Sequence, residues 1–182
     1  MASRETLKEL QARLAQRLQH ARSSNIALTW LAVTAGHRNY LFPLRQSGEI
    51  LPAPQLRPVP RTKAWFLGVV NVRGSLYGTV DLAQFVGQFQ GQEADLTTYL
   101  PSDASQVPSV VTFHPAVEVN CALQINALAG LRSAQSFTSS KAAPSGSPGY
   151  FGNQFIDADA KRWQEINLQA LSQTPEFLNI SA

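Results

Sequence analysis

Apolar positions recur along this chain in two rhythms. Over residues 3–22 they stand three and four apart (Leu7, Leu10, Leu14, Leu18, Ala21), with arginine and glutamine opposite. That spacing lays one stripe along an α-helix, and Thr6 with Glu9 has the spacing of a capping box. From residue 26 onward the rhythm shortens to runs rich in β-branched and aromatic residues, punctuated by turn formers. Runs 26–33 and 39–44 flank Ala35-Gly36-His37-Arg38 and predict a first hairpin. Prolines at 52, 54, 58 and 60 exclude both helix and central strand, leaving an extended loop. Runs 66–72 and 76–80 flank Arg73-Gly74-Ser75, where Gly74 supplies the positive φ that a tight turn needs. Arg73 stands at this tip with no acid beside it in sequence. Asp81 follows, placed to cap a short apolar turn over 82–86.

Residues 87–109 are polar and weakly patterned, and read as a linker between two lobes. Runs 110–113 and 117–125 predict another hairpin around His114-Pro115. The Ser-, Ala-, Pro- and Gly-rich stretch 133–149 reads as a long flexible loop. Runs 150–156 and 163–166 form a last hairpin around Asp157-Ala158-Asp159-Ala160; a helical turn over 168–172 and the segment 175–180 end the chain. Many short strands with little helix between them point to an all-β protein built of small barrels. Strand alternation prevents Trp65, Phe66, Leu76 and Tyr77 from all pointing inward, so some face a neighbouring lobe or a partner.

Composition narrows the function classes. Charged residues are 15% of the chain, below the usual quarter or so, which leaves more surface for apolar contact. A net charge of +3 suggests nucleic acid, but residues 1–80 hold eleven Lys/Arg against three acids and residues 81–182 hold four against nine. The chain is polarised rather than uniformly basic, and its basic half has no aromatic cluster for stacking bases. No apolar run approaches the roughly 20 residues that span a bilayer, and no signal-peptide pattern opens the chain, so a cytoplasmic location is expected. Cys121 is the single cysteine and lies in an apolar run, which predicts a buried, inert thiol. His20, His37 and His114 are scattered, without a second ligand at metal spacing, and no nucleophile or phosphate-loop motif is present. Asp157 and Asp159 read as a solvated turn. No catalytic, metal-binding or cofactor-binding residue is expected.

The order Val59-Pro60, Trp65-Phe66, Gly68-Val69-Val70-Asn71-Val72-Arg73-Gly74 and Val80-Asp81-Leu82 resembles the CheW-like family, whose members join chemoreceptors to a histidine kinase. Glu49-Ile50 matches the family's dipeptide before the proline-rich loop. The ending Thr174-Pro175-Glu176-Phe177-Leu178 and the N-terminal helix are similar to the pilus-type (PilI-like) subgroup. Two departures stand out: Asn126 replaces an acid, and Ser47 stands where relatives often carry an apolar residue.

The resemblance implies two five-stranded, SH3/OB-like β-barrels side by side with a groove between them, preceded by the helix at 1–24. The domain would cover 25–182, with a first lobe at about 25–90 and a second at 108–182, the chain crossing between lobes or not. The implied role is a non-catalytic scaffold in chemotaxis or type IV pilus twitching-motility signalling. Its implied partners are a CheA-like histidine kinase and the cytoplasmic tip of a methyl-accepting chemoreceptor, with no nucleic acid and no membrane insertion. Receptor contact would fall to groove residues Ser47, Glu49, Ile50 and Arg73. The motif hairpin would depend on Gly68, Asn71, Arg73, Gly74 and Asp81. A small-barrel nucleic-acid binder, and an accessory pilus domain without receptor contact, remain open as alternatives.

Overall fold

The computed structural model describes residues 28–52, 54–88 and 108–182. The helix expected over 3–22 lies outside the described residues, as does most of the linker at 87–109. In chain order the strands are β1 (Thr29–Ala35), β2 (Arg38–Pro43), β3 (Ser47–Pro52), β4 (Phe66–Val72), β5 (Ser75–Asp81), β6 (Ser109–Phe113), β7 (Cys121–Ile125), β8 (Ala127–Ser133), β9 (Phe137–Lys141), β10 (Phe151–Asp157) and β11 (Arg162–Ile166). Among the described residues three short α-helices accompany them: α1 (Leu82–Gln88), α2 (Leu168–Ser172) and α3 (Pro175–Leu178).

The strands form a six-stranded sheet, β8-β1-β2-β11-β10-β9, and a five-stranded sheet, β3-β6-β7-β5-β4. The all-β, two-sheet expectation holds, with six strands rather than five in one sheet. The extra strand is β9, inside the stretch read as a flexible loop. Apart from Phe137, which packs against Trp30 and Phe155, its residues are polar and exposed, so it carries no apolar alternation; its backbone ladder to β10 makes it a strand.

The sheets draw their strands from both sides of the linker. β1 and β2 join β8 to β11, while β6 and β7 return to β3, β4 and β5. The apolar pattern of β1 explains this placement. Leu31, Val33 and Ala35 belong to a large core shared by both sheets. Trp30 and Ala32, on the opposite face, pack with Leu41, Phe155 and Trp163 inside the six-stranded sheet. A strand apolar on both faces needs a layer on each side. The chain crosses between sheets at Gln46, whose side chain accepts from Leu168 N (2.8 Å) and donates to Asn167 Oδ1 (3.1 Å). It crosses back at Asn126, whose Oδ1 accepts from Gly36 N (2.7 Å).

The shared core is strongly aromatic. Trp65 and Phe85 meet edge to face at 5.1 Å, and Phe177 of α3 stacks on both Trp65 (6.3 Å) and Phe113 (6.1 Å). Such ring pairs contribute about 0.5–1.5 kcal/mol each beyond the area they bury. The chain end is then tied down by Lys63 N to Ile180 O and Ala182 N to Arg61 O. Of the four residues that alternation had to divide, Trp65 is buried, Phe66 and Tyr77 are half-buried, and Leu76 is exposed.

Two polar readings resolve differently. His114 is a turn residue as expected, its Nδ1 accepting from Ala116 N. Asp157 is not solvated but buried. Its carboxylate accepts from Trp163 Nε1 (2.9 Å), Lys161 N (2.9 Å) and Asp159 N (3.0 Å), and these donors, the indole first, hold it below the usual carboxylate range. In the sequence it is one of two equivalent aspartates; folding places the Trp163 indole over one of them. Cys121 is buried as expected, and burial pushes its thiol well above its ordinary range.

A candidate docking surface at the barrel seam

The β4–β5 hairpin turns on two residues at positive φ, Arg73 (50°) and Gly74 (90°), which match the right-handed twist of the flanking strands. Asn71 Oδ1 accepts from Gly74 N at 2.8 Å and holds the tip closed. Val70 and Val72 point into the core, while Asn71, Arg73 and Leu76 face water.

β3 and β4 are the two edges of the five-stranded sheet. The extended segment after β3 returns to β4, where Arg57 and Val69 exchange backbone hydrogen bonds of 2.8 and 2.9 Å. Gly68 makes that approach possible. It sits at φ 129°, and a Cβ there would collide with the Arg57 carbonyl oxygen. Further along the same seam, Arg73 Nε lies 3.1 Å from Glu49 Oε1. β4 is thus joined to the segment after β3 by main-chain bonds at Arg57, and to β3 itself by the ion pair at Arg73.

Glu49 is aimed by its own strand. A register shift between Ser47 and Ile50 bulges β3 away from β6. The buried Thr112 hydroxyl fills the bulge, accepting from Glu49 N (2.7 Å) and donating to Glu49 O (3.3 Å). Gly48 leaves room for that hydroxyl, since a Cβ would overlap it. The two charged side chains remain open to water, at 81% exposure for Arg73 and 41% for Glu49. A pair so hydrated contributes between zero and about 1 kcal/mol. It orders the seam more than it stabilises it, and both groups stay available to a partner.

Glu49 and Arg73 therefore belong to one exposed surface, and Ile50, the next residue of β3, is also exposed. Ser47 does not share it: it is buried, and its hydroxyl donates to Pro43 O at 3.2 Å. Asp81 stands at the opposite end of β5, where Oδ1 accepts from Gln84 N (3.0 Å) and caps α1. Burial pushes its carboxyl up, against the hydrogen bonds from Gln84 and Ala83. Gly68, Asn71, Gly74 and Asp81 are thus structural supports of the hairpin, and Arg73 is the charged side chain of that group that is open to water. Thr112, Gly48 and Arg57 were not singled out by sequence reasoning. Gly48 beside Glu49 was the available signal, a glycine inside a strand pattern marking a bulge.

Among the described residues no cluster of three His, Cys, Asp or Glu side chains could hold a metal ion. No helix among them is long and apolar enough to cross a membrane.

A family model for the CheW-like domain matches residues 29–176. Protein PilI from Pseudomonas aeruginosa is 40% identical over 52 residues, a match covering 29% of this chain and 29% of that protein. The scaffolding protein TtCheW from Thermoanaerobacter tengcongensis shares the fold, with a TM-score of 0.55 at 12% identity, covering 78% of this chain and 89% of that one. The family match takes in both sheets, from β1 through β11, together with the seam that carries Glu49 and Arg73. The chain belongs to the CheW-like domain family.

Proposed function

We propose that this chain is a non-catalytic adaptor that couples the cytoplasmic tip of a chemoreceptor to a CheA-like histidine kinase. The similarity to PilI favours the pilus-type branch, with twitching motility as output and the cytoplasmic face of a receptor array as its place of work. The observation that carries the reading is the exposed Glu49–Arg73 pair, with Ile50 of the same strand also exposed.

The mechanism is geometric. The receptor meets the seam residues Glu49, Ile50 and Arg73, and the kinase occupies a different face. One core shared by both sheets makes the two faces parts of a single rigid body. Holding kinase and receptor on such a body raises the effective concentration of each at the other, and array multivalency multiplies weak contacts.

The test is a pair of titrations of the full chain, against a receptor-tip fragment and against the kinase regulatory domain, followed by a three-component pull-down. Simultaneous binding of both supports an adaptor. Mutually exclusive binding, or stable phosphate on this chain after incubation with phosphorylated kinase, refutes it.

A further inference from the structure

A second surface lies on the six-stranded sheet, away from the seam. A cleft of about 410 Å³ opens beside the β1–β2 turn, with Arg38, Arg162 and His37 at its rim and Gln154 and Gln164 along its wall. A second depression of about 200 Å³ continues from it, sharing Gln154 and Arg162 and adding Lys141. The strand register explains the continuity. Lys141 pairs with Gln154, Gln154 with Gln164, and Gln164 with Tyr40, so one row runs across β9, β10, β11 and β2. Three interstrand steps make that row roughly 14 Å long.

No carboxylate lines either depression. The nearby acids are committed elsewhere: Glu165 accepts from Trp30 Nε1 (2.8 Å) and Asn153 N (3.2 Å), and Asp157 holds Trp163 Nε1. Asp159 lies in the β10–β11 turn beside Lys161. Among the described residues Arg38, Arg162 and Lys141 form no ion pair, and all three are exposed. Gln164 Nε2 donates to Gly152 O and Glu165 O, both at 2.9 Å, which fixes the amide and leaves its oxygen as an acceptor. The Gln154 amide has no partner among the described residues.

We propose that this cleft binds an acidic, extended segment of a partner polypeptide, with Arg38, Arg162 and Lys141 taking successive carboxylates and Gln154 and Gln164 meeting its backbone. About four extended residues span the row. Arg38 and Arg162 stand on neighbouring strands at one end and Lys141 two strands beyond Arg162, a spread that suits such a segment better than a compact anion, which needs donors that converge on one point. Single-stranded nucleic acid is disfavoured because two of the three lining aromatics, Tyr40 and Trp163, are 2% and 3% exposed, which leaves the half-buried Phe151 in place of a run of rings for successive bases to stack on. The proposal does not depend on the adaptor reading, since none of these residues belongs to the seam.

The test uses the full chain and a fluorescein-labelled hexaglutamate peptide, read by fluorescence anisotropy. Binding is expected at low salt, weakening steeply toward about 0.2 M salt as screening grows. Arg38→Gln with Arg162→Gln should weaken it about tenfold or more. Arg45→Gln with Arg61→Gln, two exposed cations elsewhere, should change it less than about twofold. A large excess of inorganic phosphate should not displace the peptide. If the first double variant melts early, the exposed Lys141→Gln decides, with a measurable weakening expected. Absence of binding at low salt, equal loss in both double variants, displacement by phosphate at the peptide's own concentration, or tighter binding of a six-nucleotide thymidine oligomer would each overturn the proposal.

Discussion

Reversing the charge at Arg73 separates a partner contact from a structural one. Arg73 is 81% exposed and pairs with Glu49 at 3.1 Å. Arg73→Glu removes a pair worth at most about 1 kcal/mol and sets two carboxylates near each other in water, a further cost of similar size. The backbone adds nothing: φ is 50° at this position, and glutamate is no more strained there than arginine. The total should stay within about 2 kcal/mol, which for a chain of this length lowers Tm by at most about 4–8 °C. At a receptor interface an arginine lost from a desolvated position costs about 2 kcal/mol or more, a Kd about 30-fold weaker. The swap Glu49→Arg with Arg73→Glu then discriminates further. It restores an ion pair across the seam, so Tm should recover, yet the surface shown to the receptor stays reversed and affinity should not. Paired titrations with the receptor tip and the kinase domain, with melting curves on the same samples, carry the measurement. Receptor affinity that returns with the swap, or never falls, refutes a direct contact; a Tm drop beyond about 10 °C would make Arg73 structural.

Gly68→Ala should be among the most damaging single changes at the seam, costing about 3 kcal/mol or more, because its Cβ meets the Arg57 carbonyl at a strained φ; an unchanged denaturant midpoint would refute the seam as described. Phe177→Ala should cost about 3–5 kcal/mol by opening the aromatic core against Trp65, Phe85 and Phe113, checked by equilibrium unfolding. Asp157 and Asp81 should show opposite pH signatures. Asp157 titrates below its unfolded value, so its contribution is present above about pH 4 and is lost as pH falls through the lower folded pKa; the advantage of wild type over Asp157→Asn should shrink in acid. Asp81 titrates above its unfolded value, so ionising it costs stability as pH rises from about 4 through the raised pKa, and Asp81→Asn should gain on wild type over that interval in melts across pH 3–7.

What the sequence determined by itself is whatever a few neighbouring residues decide. The β4–β5 turn follows from Asn71 and Gly74 within four positions, the α1 cap from Asp81 three residues before Gln84, and the β1–β2 and β10–β11 hairpins from apolar runs flanking turn formers. The spaced family motif carried the fold class in the same way. Tertiary structure decided what depends on residues far apart in the chain. β9 is a strand because β10 offers it a ladder, and Asp157 is buried because Trp163 closes over it. β1 and β2 join the C-terminal strands because both of their faces need cover. Arg73, with no acid beside it in sequence, meets Glu49 24 positions earlier because the edges of the five-stranded sheet come together at the seam. Periodicity and turn chemistry are local signals; closure of a sheet and the sharing of a core are not, and they set which charges and which apolar faces are left for a partner.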